Sequence, residues 1–323
     1  MFTQVRRLLI VGIALFGLYI FWDNNRLTIV EQDIVMDDLP DAFVGFKILQ
    51  ISDLHEKQFG KDQSRLLKAI NQIDYDVLVF TGDILDNPES TNHDSFYTLL
   101  DGIHHKDHLF YVPGNADPQS YQLSPSFGKS EFIKGMEERG VQFLESIDTI
   151  TKDEESIHFV NFEQSIIRKP EQIGNINGTP TSPYVENEDY QRYQQSLWED
   201  MIETGHLDST DVRIALNHYP VSDPRIDYIK NDPVTEWRDF SLIIAGHYHG
   251  GQIRLPFLGA LFVPEPWYEP NSFFPPQDRV KGLWEYEETK QYVSAGLGSS
   301  DAIPFFKFRL FNTPEINVLR LIK

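Results

Sequence analysis

The sequence predicts an α/β layered domain, and three observations support this prediction. From Phe46 onward, short apolar runs alternate with amphipathic stretches, the pattern of strands followed by helices. Of the 323 residues, 41% are hydrophobic and 13% are aromatic, which is enough apolar material for a large core. The chain has no cysteine, so disulfide-stapled scaffolds, cysteine-based zinc fingers and thiol-dependent enzymes are excluded.

An apolar run of fifteen residues, 8–22, lies near the N-terminus, preceded by Arg6 and Arg7 and followed by Asp23. At about 1.5 Å per residue a helix of this length spans roughly 22 Å, somewhat less than the roughly 30 Å of a bilayer's hydrocarbon core. We predict an uncleaved transmembrane signal anchor. The two arginines favour a cytoplasmic N-terminus, which places the remainder of the chain on the extracytoplasmic side.

Three alternatives to a signal anchor stay open: a cleaved signal peptide, a buried helix and a twin-arginine signal. Bulky Tyr19, Phe21 and Trp22 stand where a cleavage site needs small residues, which disfavours the first. The sequence shows no internal repeat and no linker to a second domain. We therefore predict two parts, an anchor over residues 1–25 and a single domain over residues 26–323.

Five apolar runs are predicted to be buried strands because they are rich in β-branched or large apolar residues. They are residues 46–52, 76–80, 109–112, 212–216 and 241–245. Apolar side chains at helical spacing indicate helices over residues 63–73, 95–103 and 130–140. Shorter strands are predicted at 141–144, 149–151, 157–160, 252–255, 292–296 and 315–321.

The regular pattern stops at residues 162–210, which we predict to be an insertion made of a loop over 170–189 and an exposed helix over 189–205. A second irregular region, 264–278, combines prolines with aromatic residues. That region is interpreted as a cover for the sheet edge, a lid, a substrate platform or a contact with the membrane.

Polar motifs follow directly after each of the five buried strands. They are Asp53-Leu54-His55, Gly82-Asp83-Ile84-Leu85-Asp86, Gly114-Asn115-Ala116-Asp117, Asn217-His218 and Gly246-His247-Tyr248-His249. Because ligands collect at the carboxyl ends of strands in an open α/β sheet, we expect these motifs at one edge of one sheet. Asp, His and Asn without thiols suit a divalent cation such as Mn, Fe, Zn or Mg. Independent surface or capping roles would not place five such motifs after strands.

The ordered set of motifs resembles the calcineurin-like metallophosphoesterase superfamily. The stretches LPDAFVGFKILQISDLH, GHYHGGQIRLPFLGA, SAGLGSS and FNTPEINVL are similar to its membrane-anchored bacterial branch, and the likeness runs from about residue 40 to the C-terminus. The resemblance implies a layered β-sandwich flanked by helices. It also implies a phosphoesterase in which two divalent metal ions hold a bridging hydroxide that attacks phosphorus in line.

The resemblance further implies a set of metal ligands. The first ion is matched by Asp53, His55 and His249, the second ion by Asn115, His218 and His247, and Asp83 bridges the two. Asp86 is implied to orient an imidazole, that of His55, from behind. Asp117 matches the family's carboxylate that pairs with a histidine, and this chain lacks that histidine.

The departure from the family pattern is Ala116, which stands where the family has a histidine that touches the phosphate and helps the leaving group depart. Loss of such an acid typically costs about 10²–10⁴ in rate. Three interpretations stay open. The substrate has a good leaving group, another donor such as Tyr219, Tyr248 or the 264–278 region replaces the histidine, or the protein is a metal-binding remnant.

Three further histidines, His104, His105 and His108, precede the strand at 109–112 and lie at its opposite end. At about 3.3 Å per residue they are at least ~15 Å from Asn115 along the chain. We predict that they are surface residues and not replacements for the missing acid.

The net charge of −21, from 28 Lys and Arg against 49 Asp and Glu, opposes binding to nucleic acid and therefore disfavours a nuclease. We expect a metal-dependent phosphodiesterase or phosphomonoesterase with a small or lipid-borne substrate. The alternative from another class is a catalytically attenuated, metal-binding cell-surface homologue, which Ala116 suggests. The sequence indicates no protein partner.

Overall fold

A computed structural model describes residues 2–172, 182–203, 211–268, 272–301 and 307–323. The helices in these ranges are Phe2–Asn25 (α1), Ser64–Ile70 (α2), Asp94–Gly102 (α3), Glu131–Glu137 (α4), Phe162–Ser165 (α5), Glu188–Glu203 (α6) and Asp223–Asn231 (α7). The strands are Thr28–Val35 (β1), Lys47–Ile51 (β2), Val77–Thr81 (β3), Leu109–Val112 (β4), Tyr121–Gln122 (β5), Gly128–Lys129 (β6), Gln142–Phe143 (β7), Ile147–Lys152 (β8), Glu155–Asn161 (β9), Arg213–Leu216 (β10), Leu242–Ala245 (β11), Arg254–Leu255 (β12), Gly259–Ala260 (β13), Gly282–Tyr286 (β14), Thr289–Val293 (β15) and Glu315–Ile322 (β16).

Two six-stranded sheets form the body, in the orders β1-β16-β2-β3-β4-β7 and β14-β15-β11-β10-β9-β8. In the first sheet β16 runs antiparallel to β2, and the other neighbours are parallel, with Ile48 opposite Val77 and Leu78 opposite Leu109. In the second sheet β9, β10, β11 and β15 are parallel, and β8 and β14 close its edges in antiparallel pairing. The parallel strands of each sheet therefore end at a common edge.

The apolar side chains of the central strands alternate between two faces, which explains the layers. In β3, Val77 and Val79 pack between the two sheets, whereas Leu78 and Phe80 pack on the outer face against α2, α3 and α4. The outer face of the second sheet is covered by α5, α6 and α7 around Ile226. The fold is thus a β-sandwich flanked by helices on both sides, and the predicted fold class is confirmed.

The five buried strands predicted from the sequence are present, and each end lies within one residue of its expected position. The predicted helix at 189–205 is α6, and residues 204–205 lie outside the described ranges, as do 173–181 of the predicted loop at 170–189. Strand β1 and helix α7 were not predicted. Whether residues 162–210 are an insertion remains a prediction.

Helix α1 is longer than the apolar run that indicated it. Its 24 residues, exposed along the apolar window, are long and apolar enough to cross a membrane by length and composition, a test that a signal sequence also passes. At about 1.5 Å per residue the helix measures roughly 36 Å, because the residues on both sides of the run continue it. Packing of this helix inside the body, one of the three alternatives, is wrong.

The end of α1 is held by the body of the protein. The Asn24 side chain donates to the Arg309 carbonyl oxygen at 2.7 Å and accepts the Arg309 peptide N–H at 2.7 Å. Asp23 is buried and accepts hydrogen bonds from Arg26 Nε at 2.8 Å and Thr313 Oγ1 at 2.7 Å. The helix therefore leaves the body in a defined direction.

Candidate metal centre

The five polar motifs meet between the two sheets. Three of them follow β2, β3 and β4 of the first sheet, and two follow β10 and β11 of the second. The expectation that they share one edge of one sheet is therefore wrong, because the strands that carry them belong to both layers of the sandwich. Gln50 joins the layers at this point, donating to Thr81 Oγ1 at 2.9 Å and to the Ala245 carbonyl oxygen at 2.8 Å.

A first cluster of buried ligand-type side chains consists of Asp53, His55, Asp83 and His249. One atom from each lies within 4.8 Å of the others. His55 Nε2 is 3.4 Å from Asp83 Oδ2 and 3.3 Å from His249 Nε2, and His249 Nε2 is 3.6 Å from Asp53 Oδ1. This separation of nitrogen and oxygen atoms leaves room for one cation among them.

A second cluster lies beside the first and shares Asp83 with it. It consists of Asp83, His218 and His247. His218 Nε2 is 3.4 Å from Asp83 Oδ2, 3.0 Å from His247 Nδ1 and 3.2 Å from the side-chain oxygen of Asn115. Asp83 Oδ2 is therefore equally distant from one histidine of each cluster. The structure brings together all seven residues that the family resemblance implies as ligands.

The hydrogen-bond partners of the second cluster assign the histidine tautomers. His218 Nδ1 donates to the Thr81 carbonyl oxygen at 2.8 Å, and His247 Nε2 donates to the Pro264 carbonyl oxygen at 3.3 Å. In the neutral imidazoles the inward-facing nitrogens carry lone pairs, and they face each other beside the oxygens of Asp83 and Asn115. Lone-pair atoms converging in this way fit a divalent cation, and the backbone carbonyls orient the rings for it.

The titration of the clustered groups is strongly shifted. Burial opposes protonation of His218, but the Asp83 carboxylate outweighs burial and raises the pKa of His218 to about 9. Burial, reinforced by His218, lowers the pKa of His247 to about 3. Burial raises the pKa of the Asp53 carboxyl to about 6. Burial would also raise the pKa of Asp83, but the neighbouring histidines outweigh it and hold the Asp83 pKa below the usual range. Cation binding at this centre is therefore linked to proton release.

Five of the ligand-type residues have left-handed backbone conformations. The φ angles are 52° at Asp53, 46° at His55, 52° at Asp83, 67° at His247 and 50° at His249. A non-glycine residue in this region typically costs about 1–3 kcal/mol, and such strain concentrates at functional sites. The surrounding fold holds these loops in a conformation that points the side chains at one another.

Two motif glycines are required by close approach between loops. A Cβ added to Gly114 would overlap Asp83 Oδ1, and one added to Gly246 would overlap Ser52 Oγ and Asp53 Oδ2. Each glycine therefore lets the backbone of one loop lie directly against a ligand of another. This explains the Gly-Asn and Gly-His pairs in the sequence.

Asp117 has a structural function in this protein. It is buried, and its carboxylate accepts hydrogen bonds from the Tyr111 hydroxyl at 2.9 Å and from the peptide N–H groups of Gly114, Ile84 and Leu85 at 2.9, 2.8 and 3.1 Å. It therefore fixes the loop after β4 against the loop after β3, although the histidine it was expected to orient is absent.

Asp86 lies next to Nδ1 of His55, in agreement with the position that the family resemblance implies. Its Oδ1 is 3.6 Å from His55 Nδ1, just beyond hydrogen-bond distance, and its Oδ2 is 2.7 Å from Lys307 Nζ. The carboxylate favours the tautomer that leaves His55 Nε2 facing the first cluster.

The two tyrosines considered as replacements for the missing acid lie in different surroundings. Tyr248 is fully buried and its hydroxyl donates to Glu265, so the interpretation that it replaces the missing proton donor is wrong. The ring of Tyr219 lies 5.0 Å from that of His218 and 4.6 Å from that of His247, and burial raises its pKa. Tyr219 is thus the candidate tyrosine that borders the centre.

The three histidines before β4 lie at the far end of that strand. His104 and His105 are exposed, and the backbone carbonyl of His105 accepts a hydrogen bond from Tyr75 at 2.7 Å. The prediction of surface residues is confirmed for His104 and His105, whereas His108 is half-buried.

The sequence did not reveal Arg309, which holds the backbone of the loop that carries His249 of the first cluster. Its buried guanidinium donates to the carbonyl oxygens of His249 at 3.1 Å, Ala295 at 2.5 Å, Gly298 at 2.6 Å and Asn312 at 2.8 Å. These contacts fix the loop that carries His249. The only signal in the sequence is the similarity of the flanking stretches SAGLGSS and FNTPEINVL to the bacterial branch, which does not single out this arginine.

A cavity of about 360 Å³ opens beside the second cluster. It is lined by Asn115 and Tyr219 on the side of the centre and by Tyr184, Tyr190 and Gln194 from the segment predicted as an insertion. This segment therefore forms a wall of the space next to the metal centre.

Two buried His and Asp clusters that share one carboxylate, placed between the sheets of a β-sandwich, are typical of metal-dependent hydrolases with paired metal ions. The family model for calcineurin-like phosphoesterases matches residues 46–251, and the chain belongs to this family. Members use divalent metals, and the buried cluster described above lies within the matched range.

The chain is similar to bacterial proteins over most of its length. It is 25% identical to the uncharacterised metallophosphoesterase YkuE of Bacillus subtilis over 314 residues, covering 95% of this chain and 89% of YkuE. It is 25% identical to the UDP-2,3-diacylglucosamine pyrophosphatase LpxG of Chlamydia trachomatis over 310 residues, covering 88% and 87%. Among solved structures, the phosphopantetheinyl hydrolase of Mycobacterium tuberculosis matches 79% of this chain and 91% of its own, with 13% identity and a TM-score of 0.42.

Proposed function

We propose that this protein is a metal-dependent phosphodiesterase. The observation that supports this best is the position of Asp83, whose Oδ2 lies 3.4 Å from both His55 Nε2 and His218 Nε2. A carboxylate at this point can neutralise two cations at once and hold them close together. The proposed ligands are Asp53, His55 and His249 for one ion, Asn115, His218 and His247 for the other, and Asp83 for both.

Two divalent ions bound here would lower the pKa of a water molecule and polarise the phosphoryl oxygens. The residues of the chain supply the geometry. Backbone carbonyls of Thr81 and Pro264 fix the rings of His218 and His247, and burial keeps bulk water from screening the charges. The metal elements are left open, since Asp, His and Asn accept several divalent ions.

We propose that Tyr219 donates the proton that the leaving oxygen requires. Ala116 cannot do so, whereas the ring of Tyr219 lies against both histidines of the second cluster and borders the cavity shared with Asn115. Burial raises the pKa of Tyr219, so its hydroxyl stays protonated at neutral pH. A phenol of this kind is a weak acid, and esters with good leaving groups are therefore expected to react fastest.

A diester is favoured over a monoester because space is available on two sides of the centre. The cavity beside Asn115 and Tyr219 lies at the second cluster, and a separate groove reaches His55 at the first cluster. A phosphorus atom held between the clusters can therefore carry one substituent in each space.

We further propose that α1 anchors the enzyme to a membrane. The hydrogen bonds between Asn24 and Arg309 and the burial of Asp23 make the end of the helix part of the folded body, which a cleaved leader would not be. Arg6 and Arg7 support a cytoplasmic N-terminus and an extracytoplasmic catalytic domain.

The experiment that tests this function is hydrolysis of bis(p-nitrophenyl) phosphate by the full-length chain in detergent micelles, with Mn²⁺ and then with a chelator. We expect turnover that needs the metal, together with two bound ions per chain by elemental mass spectrometry. Two bound ions without turnover would instead support the attenuated metal-binding homologue. A well-folded chain that binds no metal would contradict both.

A further inference from the structure

A groove of about 550 Å³ lies between α1 and the body of the protein, next to the first cluster. Its walls include Gly17, Ile20 and Phe21 of α1 and His55, Lys57 and Lys307 of the body. The groove thus connects an apolar face of the N-terminal helix with one of the proposed metal ligands.

The helix wall of the groove extends into the apolar run. Gly17 precedes Asn24, which is bonded to the body, by seven residues, or about 10 Å along the helix axis. Ile20 and Phe21 lie between them and are apolar. When α1 spans a bilayer, this part of the wall lies at the depth of the hydrocarbon, and the polar body begins at Asp23. The groove is therefore open toward lipid at one end and toward the metal centre at the other.

Two lysine side chains lie at the inner end of the groove, although the whole chain carries a net charge of −21. Lys57 is partly buried, with Nζ 3.2 Å from the Leu297 carbonyl oxygen, and Lys307 Nζ lies 2.7 Å from Asp86 Oδ2. Lys307 is paired with Asp86, which balances its charge, but the N–H groups of both lysines can donate hydrogen bonds to the phosphate of an anionic headgroup. A phosphate is therefore favoured here over a cationic headgroup.

We propose that the substrate is a membrane lipid that carries a phosphodiester. This inference rests on the proposed phosphoesterase function and identifies its substrate class. The acyl chains lie against Gly17, Ile20 and Phe21, the phosphate passes the two lysines to the metal centre, and the other substituent occupies the cavity beside Asn115.

The reaction is a hydrolysis. A water oxygen bonds to phosphorus, the bond from phosphorus to the oxygen of the other substituent breaks, and that oxygen receives a proton. The lipid keeps the phosphate as a monoester and stays in the membrane, whereas the released alcohol or phenol leaves through the cavity.

The test compares two phosphodiesters that share one leaving group. The first is dimyristoyl-glycero-phospho-p-nitrophenol and the second is glycero-phospho-p-nitrophenol, which lacks the acyl chains. The full-length protein is assayed in mixed micelles with Mn²⁺, and release of p-nitrophenolate is measured. We expect kcat/KM to be at least tenfold higher for the acylated diester. Equal values would overturn the proposal.

A matched pair of helix variants locates the effect in the groove. In Gly17→Trp and Gly12→Trp the added side chain begins in open space, since no atom lies within 4 Å of a Cβ at either glycine. Gly12 lies roughly 140° away around the helix and does not line the groove. We expect Gly17→Trp to lower kcat/KM for the acylated diester at least tenfold, with the unacylated diester unchanged and Gly12→Trp unchanged for both. Equal kcat/KM values for the two variants would contradict binding of the acyl chains in the groove.

A binding measurement separates this proposal from the proposed function. Native mass spectrometry reports how much dimyristoyl phosphatidic acid, the lipid product, remains bound to the full-length protein released from micelles. If neither diester is hydrolysed, the enzymatic proposal fails. Retention of the lipid by the wild type and by Gly12→Trp but not by Gly17→Trp still supports the groove, whereas equal retention by all three, or none, overturns it.

Discussion

The peptide N–H of Ala116 donates a hydrogen bond to Oδ1 of Asp83 at 2.7 Å. This bond holds the carboxylate so that its other oxygen, Oδ2, lies between His55 and His218. The backbone at residue 116 therefore supports the centre, while its side chain supplies no chemistry. Because the supporting bond comes from the main chain, other side chains at this position can leave the centre intact.

Ala116→His should restore the missing acid. We expect hydrolysis of diphenyl phosphate, which has a poor leaving group, to rise about 10²-fold, the low end of the range for a positioned acid. Hydrolysis of bis(p-nitrophenyl) phosphate should change less than threefold, because its leaving group is stable as an anion. Steady-state kinetics with Mn²⁺ measure both. Ala116→Ser is the control, and a similar rise in that variant would contradict acid catalysis.

Asp83→Asn should empty both halves of the centre, because this carboxylate is shared by the two clusters. Elemental mass spectrometry should show loss of both ions, and turnover should fall to background. A ligand present at 100 times its Kd stabilises a protein by about 2.7 kcal/mol, so the rise in Tm that Mn²⁺ gives the wild type, about 5 °C, should disappear. Asp33→Asn removes an exposed partner of Arg320 and should keep both ions. Loss of a single ion in Asp83→Asn would argue against a bridging role.

Tyr219→Phe tests the proposed proton donor by its dependence on the leaving group. We expect at least a tenfold loss of kcat for diphenyl phosphate and less than a threefold loss for bis(p-nitrophenyl) phosphate, since only the former needs a proton. In the Ala116→His background the same substitution should have little effect on either ester. Tyr286→Phe, which changes a half-buried tyrosine whose hydroxyl bonds to Asp227, is the control. Equal losses for both esters would show that the hydroxyl has a positioning role and donates no proton.

Arg309→Lys should weaken metal binding at the first cluster by loosening the loop that carries His249. The lysine keeps the charge but cannot reach all four carbonyl oxygens that the guanidinium binds, and unsatisfied buried carbonyls cost about 1–3 kcal/mol each. We expect the free energy of unfolding to fall by about 3 kcal/mol and the weaker-bound Mn²⁺ to dissociate at lower chelator concentration. Arg320→Lys, at an exposed ion pair, should change neither quantity. A loss of stability with unchanged metal affinity would leave Arg309 purely structural.

The sequence was sufficient for the central strands because they are continuous apolar runs between turn residues. It did not reveal that β10 and β11 belong to a different sheet from β2, β3 and β4, since a buried strand in either layer has the same apolar pattern. Strand β1 was missed because the polar residues Glu31, Gln32 and Asp33 interrupt its apolar residues at a sheet edge.

The metal ligands were predictable because each follows a strand in a recognisable motif. Arg309 was not, because its contacts are to backbone carbonyls from distant parts of the chain, which leave no local pattern. Tyr248 was misplaced for a related reason. It stands between two ligand histidines in the sequence, whereas its side chain packs around Val263 and its hydroxyl bonds to Glu265, residues that no local pattern connects with it.

Gly246→Ala tests whether close loop packing holds Asp53 in place. The added methyl group would overlap Ser52 Oγ and Asp53 Oδ2, which must move, whereas a methyl group at Gly128 meets no atom within 4 Å. Because Asp53 also accepts the His247 peptide N–H at 3.0 Å, its displacement disturbs both sides of the centre. We expect Gly246→Ala to lose one ion and at least tenfold of the turnover, as metal titration and kinetics would show, and Gly128→Ala to behave as the wild type. Full metal occupancy in Gly246→Ala would mean that the Ser52 and Asp53 side chains can yield, and that this contact does not determine the geometry of the first cluster.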